Sequence, residues 1–388
     1  MGAVTQFLQR ISSFSKDNDK NTSQDNTFNQ MIEDDNFPLV SVVIIGKNEK
    51  DTIDKCILSI FNQSYPNFEI IYVDDKSTDN TLVKAQQLKN ILNSNKNCKR
   101  YLTLSVETNF PSKNRNIGIK ASKGRIIAFI DGDCIAKHDW LASLHEQFST
   151  NVGIVGGPIT LAHSRNSITT KAIDIVLASY LGSGGSALFY QIKGDRDVNE
   201  VPAGNLAVYK QLLEKFGGFD ENLRYNEDSD LCYRVQDEGY RIIYAAKARI
   251  YHFIGIDSYT GFMSYFKRYG FERGKNTARN SKFLTLFNLL SLALVVSALS
   301  LVMLSLFFSN APIIFFYLFI GVVLIELTVS LKLAVANKCI KLLFLLMTFF
   351  MALHNTYNIG FIFGYMAGIK ETIMGKNKYI NAIVKGES

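Results

Sequence analysis

The chain has 388 residues, a formal net charge of +7, 20% charged and 47% hydrophobic residues, and five cysteines. That length allows one large domain plus an extra module. The cysteines (Cys56, Cys98, Cys134, Cys232, Cys339) are scattered, odd in number and form no CxxC pair, which excludes a disulfide framework or a structural zinc site as the organising device and predicts reduced thiols in a cytosolic domain.

Charges crowd the first 282 residues, and about the last hundred are strongly apolar. An even mixture would read as a soluble protein. This split predicts a soluble domain followed by a membrane domain.

No cleavable signal peptide is expected at the start. Residues 4–14 have the pattern of a short amphipathic helix resting on a membrane. Residues 15–36 are rich in Asn, Asp, Ser and Lys and cannot bury enough apolar surface to offset chain entropy, so 1–37 is expected to be a disordered or amphipathic tail.

Order is expected from Pro38. Residues 39–45 (LVSVVII) form a β-branched run that reads as a strand buried on both faces. Residues 50–63 have helical spacing, with Ile53, Ile57 and Ile60 on one face. Residues 68–73 (FEIIYV) read as a second strand. Thr78 or Asp79 is placed to cap the next helix, to about residue 92. A strand at 102–106, a helix at 113–121 and a buried strand at 125–130 (RIIAFI) follow. This alternation predicts a parallel α/β sheet.

After Asp133 the pattern changes. Helices are predicted at 140–148, 210–216 and 229–238. Residues 153–160 read as a strand entering a Gly-containing turn, and 169–191 as a helix leading into a loop with Gly182, Gly184 and Gly185. Late strands are predicted at 240–244 and 248–252. This domain is bounded at 38–262.

Residues 263–282 form a basic juxtamembrane segment with Lys267, Arg268, Arg273, Lys275, Arg279 and Lys282. Basic residues beside an apolar run are attracted to anionic lipid headgroups, so membrane lipids rather than nucleic acid are their expected partner.

The membrane region, 283–369, holds three apolar stretches: 283–308, 312–331 and 342–369. At about 1.5 Å per residue each can cross a ~30 Å hydrocarbon core. The second carries one charge, Glu326; the third carries no Asp, Glu, Lys or Arg but holds His354, Asn355 and Asn358. The basic residues before the first stretch, and Lys332, Lys338 and Lys341 between the second and third, predict a cytoplasmic large domain. Three full spans would then put the tail 370–388, with Lys370, Lys376, Lys378 and Lys385, outside, against the same rule. A third segment that re-enters or lies in the interface removes the conflict.

Four constellations fall where an α/β sheet places its functional loops, at the carboxyl ends of strands. They are Lys47-Asn48-Glu49, Asp74-Asp75-Lys76-Ser77-Thr78-Asp79, Asp131-Gly132-Asp133 and Asn226-Glu227-Asp228. Two carboxylates flanking a glycine crowd together, and hard oxygen ligands of this kind suit Mg²⁺ or Mn²⁺ bridging substrate phosphates. An acidic turn is the plainer reading of such a motif alone; its place after a buried strand, beside the other three, weighs against that. Asp74 and Asp75 suit a nucleotide base and ribose. Glu49 suits ribose hydroxyls, or caps the helix at 50–63. Arg115 is placed to contact the nucleotide or to hold Asp74, or else lies on a solvated helix face. Asp228 is the candidate general base for an acceptor hydroxyl. The plainer reading of Glu227-Asp228 is negative charge at a helix start, a role Asp230 fits best.

Taken together these residues resemble the family 2 glycosyltransferases. The resemblance runs through Val42-Val43-Ile44-Ile45 with Asn48-Glu49, Val73-Asp74-Asp75 with Ser77-Thr78-Asp79-Asn80-Thr81, Arg115-Asn116-Ile117-Gly118, Asp131-Gly132-Asp133, Gly204-Asn205, Gly217-Gly218-Phe219-Asp220 and Asn226-Glu227-Asp228. It covers roughly residues 39–255.

It implies a GT-A fold with a mixed, mostly parallel sheet, a UDP- or GDP-sugar donor, Mg²⁺ or Mn²⁺, and inversion at the anomeric carbon. By motif match, Asp74 and Asp75 hold the nucleoside, and Asp133, with Asp131, holds the metal. Gly204 and Asn205 shape the donor-sugar and acceptor pocket, and Asp228, beside Glu227, is the base.

Residues 268–275 (RYGFERGK) and the trailing apolar stretches look like membrane-bound members similar to the succinoglycan glucosyltransferases. His252 lies ahead of that segment and reads as a packed strand histidine, with an approach to the leaving diphosphate as the alternative. The Gln-x-x-Arg-Trp motif of processive members is absent, and Trp140 is the only tryptophan. A multi-pass membrane enzyme adding a single sugar to a lipid-linked or membrane-proximal glycan is therefore expected. The rivals are transfer to polyprenyl phosphate itself and a non-catalytic GT-A scaffold.

Overall fold

The computed structural model describes residues 36–89, 97–164, 166–184, 186, 192–285, 288–289, 300 and 311–385. The expected tail lies almost wholly outside the described residues, and so does most of the first apolar stretch.

The first half builds the parallel part of the sheet. Strands β1 (Val40–Gly46), β2 (Phe68–Asp74), β3 (Cys98–Ser105) and β4 (Ile126–Asp131) alternate with helices α1 (Ile53–Phe61), α2 (Thr81–Gln87) and α3 (Pro111–Ala121). β1 pairs in parallel with β2 on one side and β4 on the other. Val43, Ile44, Ile71 and Phe129 are wholly buried, as continuous β-branched and aromatic runs covered on both faces must be. Each such side chain contributes about 1.5–3 kcal/mol by leaving water.

The second half departs from the simple alternation. It contains β5 (Cys134–Ala136), α4 (Trp140–His145), β6 (Val152–Gly156), β7 (Ile159–Leu161), α5 (Ile168–Ala178), α6 (Tyr180–Ser183), β8 (Arg196–Asp197), β9 (Asn205–Tyr209), α7 (Lys210–Lys215), α8 (Glu227–Asp237), β10 (Arg241–Tyr244) and β11 (Ile250–His252). The run predicted as one strand at 153–160 is two strands, β6 and β7, in different sheets. β9, which the sequence reading lacks, inserts antiparallel between β4 and β6. The large sheet has eight strands in the order β3-β2-β1-β4-β9-β6-β10-β8, and a small one has the order β5-β11-β7. The sheet is thus mixed and mostly parallel, as the resemblance implies.

Three long helices complete the described chain: α9 (Tyr259–Arg279), α10 (Ala311–Ala336) and α11 (Leu342–Lys385). The basic segment 263–282 is therefore mainly helical. α9 runs alongside α11, backbone against backbone. A Cβ at Gly364 would meet the Phe271 carbonyl oxygen at 1.8 Å, and one at Gly274 would meet that of Phe361 at 2.1 Å. Only glycine allows this approach. A second apolar cluster joins Ile173 and Val176 of α5, Phe262 and Phe266 of α9, Ala334 of α10, and Leu346 and Phe350 of α11.

Among the described residues, two helices are long and apolar enough to cross a membrane, over Phe319–Ala336 and Leu342–Met374. They differ in cover. Only 17% of the first window is buried by protein, against 44% of the second. The uncovered side chains of α11 are themselves largely apolar: Phe344, Met351, Ile359, Phe363 and Met366 are all exposed.

Candidate active site

The order of the large sheet reverses at β1, so the loops that leave β1 and β4 part at their carboxyl ends and open a crevice there. A cavity of about 540 Å³ occupies it, lined by Glu49, Asp75, Arg115, Asp131, Asp133, Gly204, Glu227, Asp228 and His252 among others. Register explains the crowding. Ile45 of β1 pairs with Asp131, the last residue of β4, so the loop carrying Glu49 leaves beside the Asp131 loop.

Asp133 meets His252. The small sheet pairs Cys134 of β5 with His252 of β11. This puts the His252 Nε2 3.1 Å from Asp133 Oδ2. Burial alone would depress the imidazole, but Asp133 outweighs it and raises His252 above its ordinary value. The packed strand histidine of the sequence reading is thus a partner of the Asp-x-Asp motif. Glu49 lies in the same field. Burial, then the charge of Asp133, push its carboxyl up to about 7.

Asp133, Cys134 and His252 bring potential ligand atoms within 4.8 Å of one another. The Cys134 thiol is buried and pushed well upward, so it stays protonated. Carboxylate oxygen and imidazole nitrogen remain, a donor set that fits Mn²⁺ or Mg²⁺ better than a thiophilic ion.

Arg115 lines the cavity and is buried, so it does not lie on a solvated helix face. Its Nη2 donates to Asp131 Oδ1 at 2.8 Å and its Nη1 to Glu227 Oε1 at 2.5 Å. It therefore does not hold Asp74. Burial would lower this guanidinium, but Asp131 and then Glu227 keep it charged. At Glu227 burial outweighs the guanidinium, and the carboxyl is raised.

Asn226 starts α8 in the left-handed region, at φ 63°, a conformation that asparagine tolerates better than most residues. The turn carries Glu227 and Asp228 into the cavity. Asp228 Oδ2 accepts the Ala203 N–H at 3.1 Å, and its Oδ1 accepts the Ser229 N–H at 2.8 Å. Burial raises this carboxyl above the usual carboxylate range; the Ala203 N–H opposes the shift and the Glu200 charge adds to it.

Asp75 lines the cavity, and its Oδ1 accepts the N–H groups of Thr108 and Asn109 at 2.8 and 3.2 Å. Asp74, expected with Asp75 to hold the nucleoside, sits differently. It is fully buried, outside the cavity lining, and accepts from the Tyr72 hydroxyl and from the Ser77 N–H and hydroxyl. Its geometry shapes the loop after β2. Asn205, expected with Gly204 to shape the pocket, does not itself line the cavity. It too is fully buried, accepting from the Trp140 Nε1 at 2.7 Å and donating to Pro158 and Ala248 carbonyls. Its neighbour Gly204 does reach the cavity, and a Cβ there would lie 2.8 Å from Asp131 Oδ2.

Glu200 and Tyr265 of α9 were not expected in the site, and Arg268 and Tyr269 of the same helix were expected only as part of the basic, membrane-facing segment; all four line the cavity. Arg273, on the same helix, is buried and reaches Glu200 at 3.7 Å and the Ser229 hydroxyl at 3.2 Å. Spacings of three and four residues in 265–269 were the available signal.

With this geometry in place, the chain matches the model of glycosyl transferase family group 2 over residues 126–363 and that of glycosyl transferase family 2 over residues 41–205. The first match covers more than half of the chain, so the protein belongs to the family 2 group of glycosyltransferases. It has the GT-A fold.

Among its relatives is the glycosyltransferase AglE of Haloferax volcanii, 28% identical over 212 residues, which are 54% of this chain and 65% of that protein. Another is the UDP-Glc:α-D-GlcNAc-diphosphoundecaprenol β-1,3-glucosyltransferase WfaP of Escherichia coli, 39% identical over 98 residues, 24% of this chain and 35% of WfaP. The matched region spans less than two thirds of either relative. The mannosyltransferase PcManGT of Pyrobaculum calidifontis, solved with GDP-Man and Mn²⁺, shares the fold at a TM-score of 0.56 and 17% identity, over 92% of this chain and 95% of that one.

Proposed function

We propose that this enzyme transfers one sugar, with inversion, from a nucleotide-sugar donor to a lipid-linked glycan acceptor at the cytoplasmic face of a membrane. One observation carries the reading: Asp133 with His252, and Asp228, line a single cavity.

Asp75 and Glu49 bind the nucleoside, and Gly204 lets the donor sugar approach Asp131. Asp133 and His252 would hold Mn²⁺ or Mg²⁺, which supplies a Lewis acid to the leaving diphosphate. Asp228 takes the proton of the acceptor hydroxyl as that oxygen bonds to the anomeric carbon. The bond from that carbon to the diphosphate breaks, and its electron pair leaves with the nucleoside diphosphate. Arg115 keeps Asp131 and Glu227 paired, so that neither competes for the proton. Asp74 and Asn205 act through the loops they brace.

The relatives support the donor and acceptor classes. The name of WfaP specifies a UDP-sugar and a diphosphoundecaprenol-linked acceptor, and PcManGT was solved with GDP-Man and Mn²⁺. The membrane arrangement rests on α10 as a span and α11 as a helix lying in the interface. In support, α11 packs along α9, and its Glu371 pairs with Lys275 and Arg279 of α9. An interfacial α11 removes the charge conflict that three full spans create.

The test is nucleotide release by the purified full chain in detergent, given a panel of UDP- and GDP-sugars with Mn²⁺. Release from one donor by the wild type, and its loss in Asp228→Asn, supports the reading. No release from any donor, with or without a polyprenyl-linked acceptor, sinks it.

A further inference from the structure

The basic residues of α9 divide into two groups. Lys275 and Arg279 pair with Glu371, Lys282 just beyond the helix pairs with Asp237, and Arg273 is buried against Glu200. Lys267 and Arg268 are exposed, and among the described residues neither has an acidic partner within ion-pair distance. Both line a second hollow, between α9 and α11, of about 550 Å³. Its remaining lining is Ser264, Phe271, Gly360 and Phe363, with Phe363 58% exposed. Arg268 also lines the catalytic cavity. The hollow thus joins cationic and apolar walls and adjoins the active site at one shared side chain.

We propose that this hollow is the acceptor-lipid seat: Lys267 and Arg268 hold the diphosphate that links the glycan to an isoprenoid chain, and the chain leaves along Phe271 and Phe363. The proposal rests on the lipid-linked reading above and adds the site. Three features favour this occupant. Two adjacent unpaired cations match a diphosphate, which carries more charge than a single phospholipid phosphate. The apolar wall facing them, Phe363 of α11, lies within the Leu342–Met374 stretch that is apolar enough for a bilayer, and Phe271 of α9 continues it. Arg268 sets the diphosphate next to the cavity, so a sugar attached to it extends toward Asp228. The close approach of α9 and α11 at Gly360, where a Cβ would meet the Lys267 carbonyl at 2.1 Å, fixes the cationic wall against the apolar one.

The experiment measures binding of farnesyl diphosphate to the full chain in neutral detergent, with EDTA and excess UDP present so that the donor site is not the one reporting. Saturable binding is expected, with farnesol and inorganic diphosphate each at least tenfold weaker. The double variant Lys267→Ala, Arg268→Ala should weaken it at least tenfold, and Lys267→Arg should retain it. Phe363→Asp provides a second variant that alters only the apolar wall, and should also weaken binding. Equal binding by the double alanine variant, displacement of the probe by UDP, or its displacement by equimolar phosphatidylglycerol overturns the proposal. The last result would mark the pair as a general headgroup contact. Because the readout needs no turnover, it can fail while donor hydrolysis succeeds, or the reverse.

Discussion

Arg115 and Glu227 stand 112 positions apart in sequence and meet at 2.5 Å in the cleft. The same guanidinium holds Asp131, so one buried cation ties the loop after β4 to the start of α8. Removing it leaves the buried Glu227 and the part-buried Asp131 without their cation, beside Asp228. Breaking such a buried pair costs about 3–5 kcal/mol. Arg115→Ala should lower the melting temperature in detergent and abolish nucleotide release. Arg115→Lys, with a single ammonium in place of a two-armed fork, should recover only part of the stability. A melting curve for Arg115→Ala identical to the wild type would show that the bridge does not hold in solution.

Asp228 should behave as a base whose pKa is raised. Catalysis needs its deprotonated form, so the rate should climb with pH through a value above the usual carboxylate range. Asp228→Asn keeps the shape but accepts no proton. A loss of about 10²–10⁴-fold in transfer is expected, with little change in melting temperature. A variant that retains a tenth of the wild-type rate would remove Asp228 from this role.

Much of this site was legible in the sequence, and what was not has a physical reason. Asp131, Asp133, Glu227 and Asp228 could be found because each ends or directly follows a buried strand or starts a helix, where side chains project into a crevice. The parallel strands were legible as β-branched runs. β9 was not, because Asn205–Tyr209 is short and its place between β4 and β6 is set by distant pairing. Asp74 sits beside Asp75 in an identical local pattern, and only the Tyr72 hydroxyl and the Ser77 loop separate their roles. The pairing of His252 with Asp133 spans 119 residues and depends on the small sheet, which no local pattern announces.

His252 gives the third prediction. If it shares a cation with Asp133, His252→Ala should raise the Mn²⁺ concentration for half-maximal nucleotide release by at least about tenfold, and excess Mn²⁺ should restore part of the rate. Asp133→Ala should be worse and resist rescue. An unchanged Mn²⁺ response in His252→Ala would reduce the histidine to packing.

The α9–α11 contact should tolerate no side chain. Gly364→Val places a Cβ 1.8 Å from the Phe271 carbonyl oxygen, and overpacking of a close contact costs about 1–3 kcal/mol or more. The variant should melt lower and expose α9 to protease. Gly321→Ala is the control, since nothing lies within 4 Å of a Cβ there. Equal loss in both variants would mean that the contact is not specific.

A final prediction concerns pH and stability. His163 sits between Asp257 and Asp174, 2.8 Å from each, and so staples the loop after β7 to α5 and to the approach to α9. Burial alone would depress this imidazole; the two aspartates reverse the shift and raise it above its ordinary value. A histidine whose folded pKa exceeds its unfolded one stabilises fully below the unfolded value, near 6.5. That contribution fades as pH rises through the higher folded value. Asp174 is 45% exposed, so solvent screening limits the effect to about 1 kcal/mol. Wild-type protein should therefore lose about 2 °C of melting temperature between pH 6.5 and the alkaline end of that window. His163→Gln should be less stable below pH 6.5 and should not share the decline. Two curves that fall in parallel would show that the staple carries no charge.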